Sequence, residues 1–273
     1  MALRTLLVAG AKSFTHTLIA LERYLEVLKK LATDAGDEAE AVMVSTAAKV
    51  WMNSPQRAAI AIDRLMGMRL VQAPAVVRWV FASRGMTSLA DELAKGLAWE
   101  VLVNCTNKMV ARASDEEDDL KAIEPAYEKA KDDAERAAKA VEEATMMEGT
   151  MEGRLSMLQE RESMANIKFQ EIKEDYDAKL ASFRTAEELR DEHLTDVFRS
   201  YVDLLSPQLS EDDAGGEGAH PAWVEGALGS LRAFTRSYHI HVARIAAEIL
   251  DSVLPEGSVH PLLRSTVEEK LYV

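Results

Sequence analysis

The side chains in this chain that could do chemistry are few: His239 and His241, the lone Cys105, the adjacent acids Asp118 and Asp119, and the tryptophans 51, 79, 99 and 223. His239 and His241 look like a ligand pair. Two positions apart on a helix, however, they point in widely different directions, and neither a cysteine nor a third histidine accompanies them. Cys105 lies in an apolar stretch without a neighbouring histidine, which suits an inert packed thiol better than a nucleophile. Asp118 and Asp119 belong to a solvated helical face and not to a pocket, so a general acid/base role is not assigned. The chain has no glycine-rich phosphate loop, nucleophile elbow or zinc-ligand spacing. Trp51, Trp79, Trp99 and Trp223 could stack a base, but each sits on an apolar face at helical spacing, and a core role is expected. Arg57, Arg64, Arg69, Arg78 and Arg84 are expected on a solvated face. No catalytic, cofactor-binding or metal-binding residue is assigned, and the chain is not expected to be an enzyme.

The elements that carry these residues read as helices. The chain has 273 residues, 48% of them hydrophobic, with only 7 Pro and 13 Gly. An all-α protein with a sizeable core is the natural expectation. One cysteine rules out a disulfide framework and fits a reducing compartment. No apolar run reaches the ~18 residues of a membrane span, and MALRTLLVAGAK reads as a short helix, not a signal peptide. The net charge of −14 is unevenly spread: residues 1–113 carry +4, residues 114–206 carry −13 and residues 207–273 carry −5. Such a balance does not suit tracking phosphates by bulk charge.

Ser13 is a plausible cap for a helix running to Ala32, with Phe14, Leu18, Leu21, Leu25 and Leu28 on one stripe. Tyr24, Val27 and Leu31 widen that stripe and predict burial on two sides. A second helix places Ala39, Val42, Met43, Ala47 and Trp51 on one face. Ser54 can cap its successor, with Pro55 at the first helical position, where no N–H is needed. Ile62, Leu65 and Met66 then face inward. Pro74 opens a short helix bearing Val76, Val77, Val80 and Phe81. Ser88 with Asp91 resembles a capping pair for a helix whose ridge is Leu93, Leu97, Val101 and Cys105. Short turns force antiparallel neighbours, which gives stacked helical hairpins of the solenoid type.

From about Ala113 the period changes. Leu120, Tyr127, Ala134 and Val141 are spaced by seven, as are Ile123, Ala130, Ala137 and Ala144. A second heptad run carries Leu155, Leu158, Ala165, Phe169, Ile172, Tyr176 and Phe183. With the turn MMEGTMEG between them (Gly149 and Gly153), these predict a long antiparallel coiled-coil hairpin, each arm about 50 Å at ~1.5 Å per residue. Pro125 should kink the first arm or mark a restart. The step from Phe183 to Leu194 reads as a stutter. Residues 206–220 read as an acidic loop. Pro221 opens a long helix with Trp223, Ala227, Leu231, Phe234, Tyr238, Val242, Ile245 and Ile249, and a last helix spans Pro261 to Leu271. The division expected is a first core segment 1–112, an acidic coiled-coil insertion 113–195, and closing core helices 196–273.

The ordered features Lys12-Ser13-Phe14 with His16, Trp51 with Asn53 and Pro55, Trp79 with Phe81, and Trp99-Glu100 resemble the C-terminal helical-repeat domain of the large subunit of the nuclear cap-binding complex. The match is most specific over residues 11–110. The family also places a coiled-coil insertion after the helix ending in Lys108-Met109, and its closing helices resemble Leu194–Leu205 and Trp223–Val253. The resemblance implies a nuclear scaffold that shuttles to the cytoplasm. It would hold a small cap-binding subunit with an RNA-recognition fold, contact capped RNA indirectly through that subunit, and recruit RNA processing and export factors, without a membrane or a cofactor. No cap-stacking residue carries over to this chain. Two other readings stand beside it: a coiled-coil tether or adaptor, judged from residues 114–206, and a helical scaffold of translation initiation.

Overall fold

The computed structural model describes residues 1–36, 38–82, 93, 96–147, 152–215 and 222–271. Its helices are α1 (Ala2–Gly10), α2 (Phe14–Arg23), α3 (Leu25–Ala35), α4 (Glu38–Val50), α5 (Pro55–Gly67), α6 (Ala73–Phe81), α7 (Leu97–Met146), α8 (Glu152–Gly215), α9 (Ala222–Ser237), α10 (His239–Arg244), α11 (Ala246–Glu248), a π-helical turn (Ile249–Val253) and α12 (Pro261–Leu271). No strand occurs among the described residues. The expected all-α class is what forms. The chain divides into two compact units, one of Met1–Met109 with Arg190–Val273 and one of Val110–Leu189.

In the first unit α1 packs on α2 and α4, α4 also packs on α3, α5 and α6, and α9 packs on α12. Gly10 permits the first of these contacts. A Cβ there would lie 2.6 Å from the Thr17 Cα, and the Thr17 hydroxyl donates to the Gly10 carbonyl at 3.0 Å. Ser13 caps α2 as expected, accepting from the His16 N–H at 3.2 Å. Ser54 occupies the cap position of α5 but makes no side-chain cap bond, so the start of α5 rests on Pro55. The sequence gives no hint of the cap on α6. There the Glu40 carboxylate accepts from the Gln72 N–H at 2.8 Å, placing negative charge at the positive end of a helix.

Several expectations are corrected. The helix predicted from Ser13 to Ala32 breaks at Tyr24, whose φ of −109° and ψ of 17° leave the α region. Tyr24, Val27 and Leu31 are 45%, 54% and 44% exposed, and Val42 of the next helix is exposed too. Burial on two sides fails because no described element covers that face. The long helix expected after Pro221 breaks at Tyr238 and Ile245 and ends in the π-helical turn. Arg264 serves the orphan carbonyls at that end, donating to Leu250 O at 3.1 Å and Leu254 O at 2.8 Å. The loop expected from residue 206 is helical as far as Gly215, because Leu205 and Leu209 are wholly buried and carry the apolar stripe past Pro207. The Ser88–Asp91 pair, Gly149 and Pro221 lie outside the described residues.

In the second unit α7 and α8 run antiparallel. Tyr127 stacks on Tyr176 with ring centres 4.3 Å apart and planes 13° from parallel, and also meets Phe169 at 5.8 Å. Lys179 reaches Asp119 across the pair at 3.1 Å. Ala130, Ala134, Ala137 and Ala144 are buried in the seam, as the heptads predict. The helix passes Pro125 without restarting. Gly153, expected in the turn, is already inside α8. Across the stutter Ala186 and Arg190 are buried, and the boundary between the two units falls there, between Leu189 and Arg190. A polar residue at a seam position hides the repeat from an apolar pattern.

Arg69 is the one non-glycine residue with positive φ among the described residues, at 58°. It ends α5 in a Schellman motif, with Leu70 N–H bonded to Leu65 O and Arg69 N–H to Met66 O, both at 2.9 Å. Glycine suits that position better. The Arg69→Gly variant is expected to be more stable by about 0.5–1 kcal/mol, read as a raised urea midpoint. Gly10→Ala is expected to lose roughly 2 kcal/mol, because the new methyl meets backbone and not a yielding side chain. An unchanged melt would show that α1 and α2 can separate freely.

Candidate functional site

The first unit draws on two chain segments, and hydrogen bonds of Thr106 with His193 and of Tyr238 with Asn107 join them. The Thr106 hydroxyl is wholly buried and donates to Leu102 O at 2.9 Å. Its oxygen lies 2.8 Å from the His193 Nε2. With the single hydroxyl proton committed to the carbonyl, His193 donates through Nε2 and its Nδ1 carries the lone pair. That Nδ1 has no partner among the described residues. Burial alone pulls the His193 imidazole down to about 4. The Tyr238 hydroxyl donates to Asn107 Oδ1 at 2.8 Å, and burial pushes it up to about 12. Ser230 donates to Ala227 O at 2.8 Å, which leaves its oxygen to accept from the Tyr201 hydroxyl at 3.1 Å. Burial raises the Tyr201 phenol far above its usual range. Nearby, Arg190 is 3% exposed and holds Asp191 at 2.8 Å.

Aromatic rings surround these hydroxyls. Phe81 meets Tyr201 edge-on at 4.9 Å, Phe198 meets Phe234 edge-on at 5.9 Å, and Phe234 meets Tyr238 at 4.8 Å. Such pairs add about 0.5–1.5 kcal/mol each beyond area burial. The arrangement holds helices together. Its Thr106–His193 pair is buried away from solvent, and among the described residues no group of acids, histidines and cysteines is able to hold a metal.

The candidates read from the sequence fall elsewhere. Cys105 is buried, and burial pushes its thiol up to about 12, Lys108 and Asp63 being lesser influences. Lys108 itself bridges to Asp63 at 2.8 Å and ties α7 to α5. His239 is exposed, with Nδ1 3.1 Å from Arg236 O. His241 is half-buried, and that burial, followed by Arg190 and Arg244, holds its imidazole below the ordinary range. Trp51 and Trp79 are buried, while Trp99 and Trp223 are half-buried. Arg57, Arg64, Arg69 and Arg78 are exposed, and Arg84 lies outside the described residues. Asp119 is spent on the Lys179 pair. Sequence reasoning missed His193 and Arg190. The only available signal was their place at three- and four-residue steps along the seam of α8.

No helix of the described residues is long and apolar enough to cross a membrane. Among families, a model described as MIF4G-like matches residues 1–243. The chain belongs to the MIF4G-like family. It is similar to nuclear cap-binding protein subunit 1 of Oryza sativa subsp. japonica, with 27% identity over 96% of the chain and 36% of that relative. With the subunit of Arabidopsis thaliana it shares 29% identity over 99% of the chain and 36% of the relative. The Homo sapiens subunit is 34% identical over 39% of the chain and 13% of that protein. The chain thus spans about a third of the length of the plant relatives it matches. The MIF4G-like match bears out the helical-repeat resemblance, and the cap-binding relatives bear out its direction.

His193 generates a pH prediction. Its folded pKa lies below the ordinary 6.5, so the unfolded chain takes up the proton first as pH falls. Stability is full above pH 6.5, declines between 6.5 and about 4, and loses nothing further to this group below 4. The loss is roughly 3 kcal/mol. Urea melts of the parent and of His193→Gln should diverge by about that amount between the two ends of the window. Parallel curves would mean that the imidazole is solvated in the folded chain.

Proposed function

We propose that this chain is a helical scaffold domain of a nuclear cap-binding complex large subunit. It supports cap recognition by a small subunit with an RNA-recognition fold and recruits RNA processing and export factors. The observation that carries this reading is the similarity to nuclear cap-binding protein subunit 1 along 96% and 99% of the chain in two plants. The interior agrees with it. The buried rings of Trp51 and Trp79 have no face to offer a methylated guanine, and the polar groups are used in joining helices. The cap is then read by the partner, and capped RNA meets this chain only through it. The mechanism is preorganisation: a rigid helical surface lowers the entropy cost of ordering a partner's mobile segments. The working compartment is the nucleus, with shuttling to the cytoplasm. The first core segment, 1–112, and the closing helices, 196–273, form the holding body, and residues 113–195 form the acidic hairpin.

The test is co-expression of the full chain with a small cap-binding subunit. The expected result is co-elution on gel filtration and retention on a cap-analogue resin only when both are present. Retention of this chain alone would place cap chemistry on it and overturn the scaffold reading. Recovery of a helicase from extract, with no small cap-binding subunit, would favour a translation-initiation scaffold instead.

A further inference from the structure

The coiled-coil unit is acidic, yet one of its flanks is not. Residues 110–189 hold 22 Asp and Glu against 12 Lys and Arg. A groove of about 400 Å³ runs along one side of the pair, and it is edged by Arg136, Arg161 and Lys168, with Asp133 as its single acid. Asp133 is already engaged by Arg136 at 2.8 Å. Arg161 and Lys168 are exposed, seven positions apart on the same face of α8, and neither has an ion-pair partner among the described residues. The floor between the cations is apolar: Ala137 and Ala140 from α7, Leu158 and Met164 from α8. Met164 is 68% exposed, although an unbranched thioether on a surface costs apolar contact that a polar residue would not.

We infer that this groove docks a short acidic amphipathic segment of a partner protein, with aliphatic side chains set onto Met164 and Leu158 and carboxylates onto Arg161 and Lys168. The lining positions extend from Asp133 to Ala140 and from Leu158 to Lys168, about 10–15 Å at ~1.5 Å per residue, enough for two or three helical turns. Charge and shape favour a peptide over a nucleic acid. The unit's surplus of carboxylates repels a polyanion at long range, and no aromatic ring lines the groove for a base to stack on. A peptide carrying only a few carboxylates beside an aliphatic face meets the local cations without that opposition. This inference concerns α7 and α8 alone and holds whether or not the chain works in cap binding.

The experiment uses the full chain and fluorescein-labelled synthetic helical peptides of about 15 residues, read by anisotropy. One peptide has Leu on one face and Glu on the other, a second replaces Glu by Lys, and a third replaces Leu by Ser. Saturable binding of the first alone is expected, weakened about tenfold or more in the double variant Arg161→Glu with Lys168→Glu and less than about twofold by Lys139→Glu, an exposed position of α7 that does not line the groove. Arg161→Gln with Lys168→Gln, checked for unchanged helicity by circular dichroism, provides a milder loss should the reversal disturb the pair. The ¹³C-methyl resonance of Met164 should shift on titration while that of Met146 does not. Equal binding of the Leu-to-Ser peptide, indifference to both double variants, or stronger binding of a single-stranded RNA oligomer at the same residues would each overturn the inference.

Discussion

The first unit is assembled from two stretches separated by the whole of the coiled coil, so it exists only if contacts between distant residues hold the stretches together. Thr106 and His193 are 87 positions apart, and Tyr238 and Asn107 are 131 apart. The first of these bonds forms in a buried interior, where an unmatched hydroxyl or imidazole carries its full desolvation cost, and the second lies at its edge, with Asn107 exposed. The aromatic contacts from Phe81 to Tyr201 and from Phe198 through Phe234 to Tyr238 set the distances at which the hydroxyls can meet. Closing so long a loop has a high entropic cost, and the concentration of rings and matched polar atoms at the junction answers that cost.

The second unit solves a different problem. Two long helices with little apolar surface each must find one register and keep it. The Tyr127–Tyr176 stack and the Lys179–Asp119 bridge fix which turns face each other. The alanines at the seam let the helices approach closely, and the rings of Tyr127, Phe169 and Tyr176 pack on one another. Charges on the remaining faces keep the pair in water and leave the groove beside Arg161 as the place where sign and polarity change.

Periodicity made much of this legible. The heptads of α7 and α8, the cap at Ser13, Pro55 at the start of α5, the burial of Cys105 and the core role of Trp51 and Trp79 all follow from side-chain spacing and from the demands of helix ends. The failures share one cause, which is that a pattern states which face is apolar but not what lies against it. Tyr24, Val27 and Leu31 make an apolar stripe with nothing described over it. Residues 206–215 look like a loop by composition, yet Leu209 finds a buried site and keeps the helix going. Tyr238 and Ile245 interrupt a stripe that looks continuous.

By itself, then, the sequence determined that the chain is helical, the coiled coil and the order of tryptophans that points to the family, because these depend on neighbours within one or two turns. Only the tertiary structure decided that Arg190 and His193 belong to the interior, that Tyr201, Ser230, Tyr238 and Asn107 pair, and that Arg161 and Lys168 border an apolar groove. Those outcomes depend on which residues distant in the chain arrive at the same place. That is settled by packing and desolvation over the whole unit, and no local period records it.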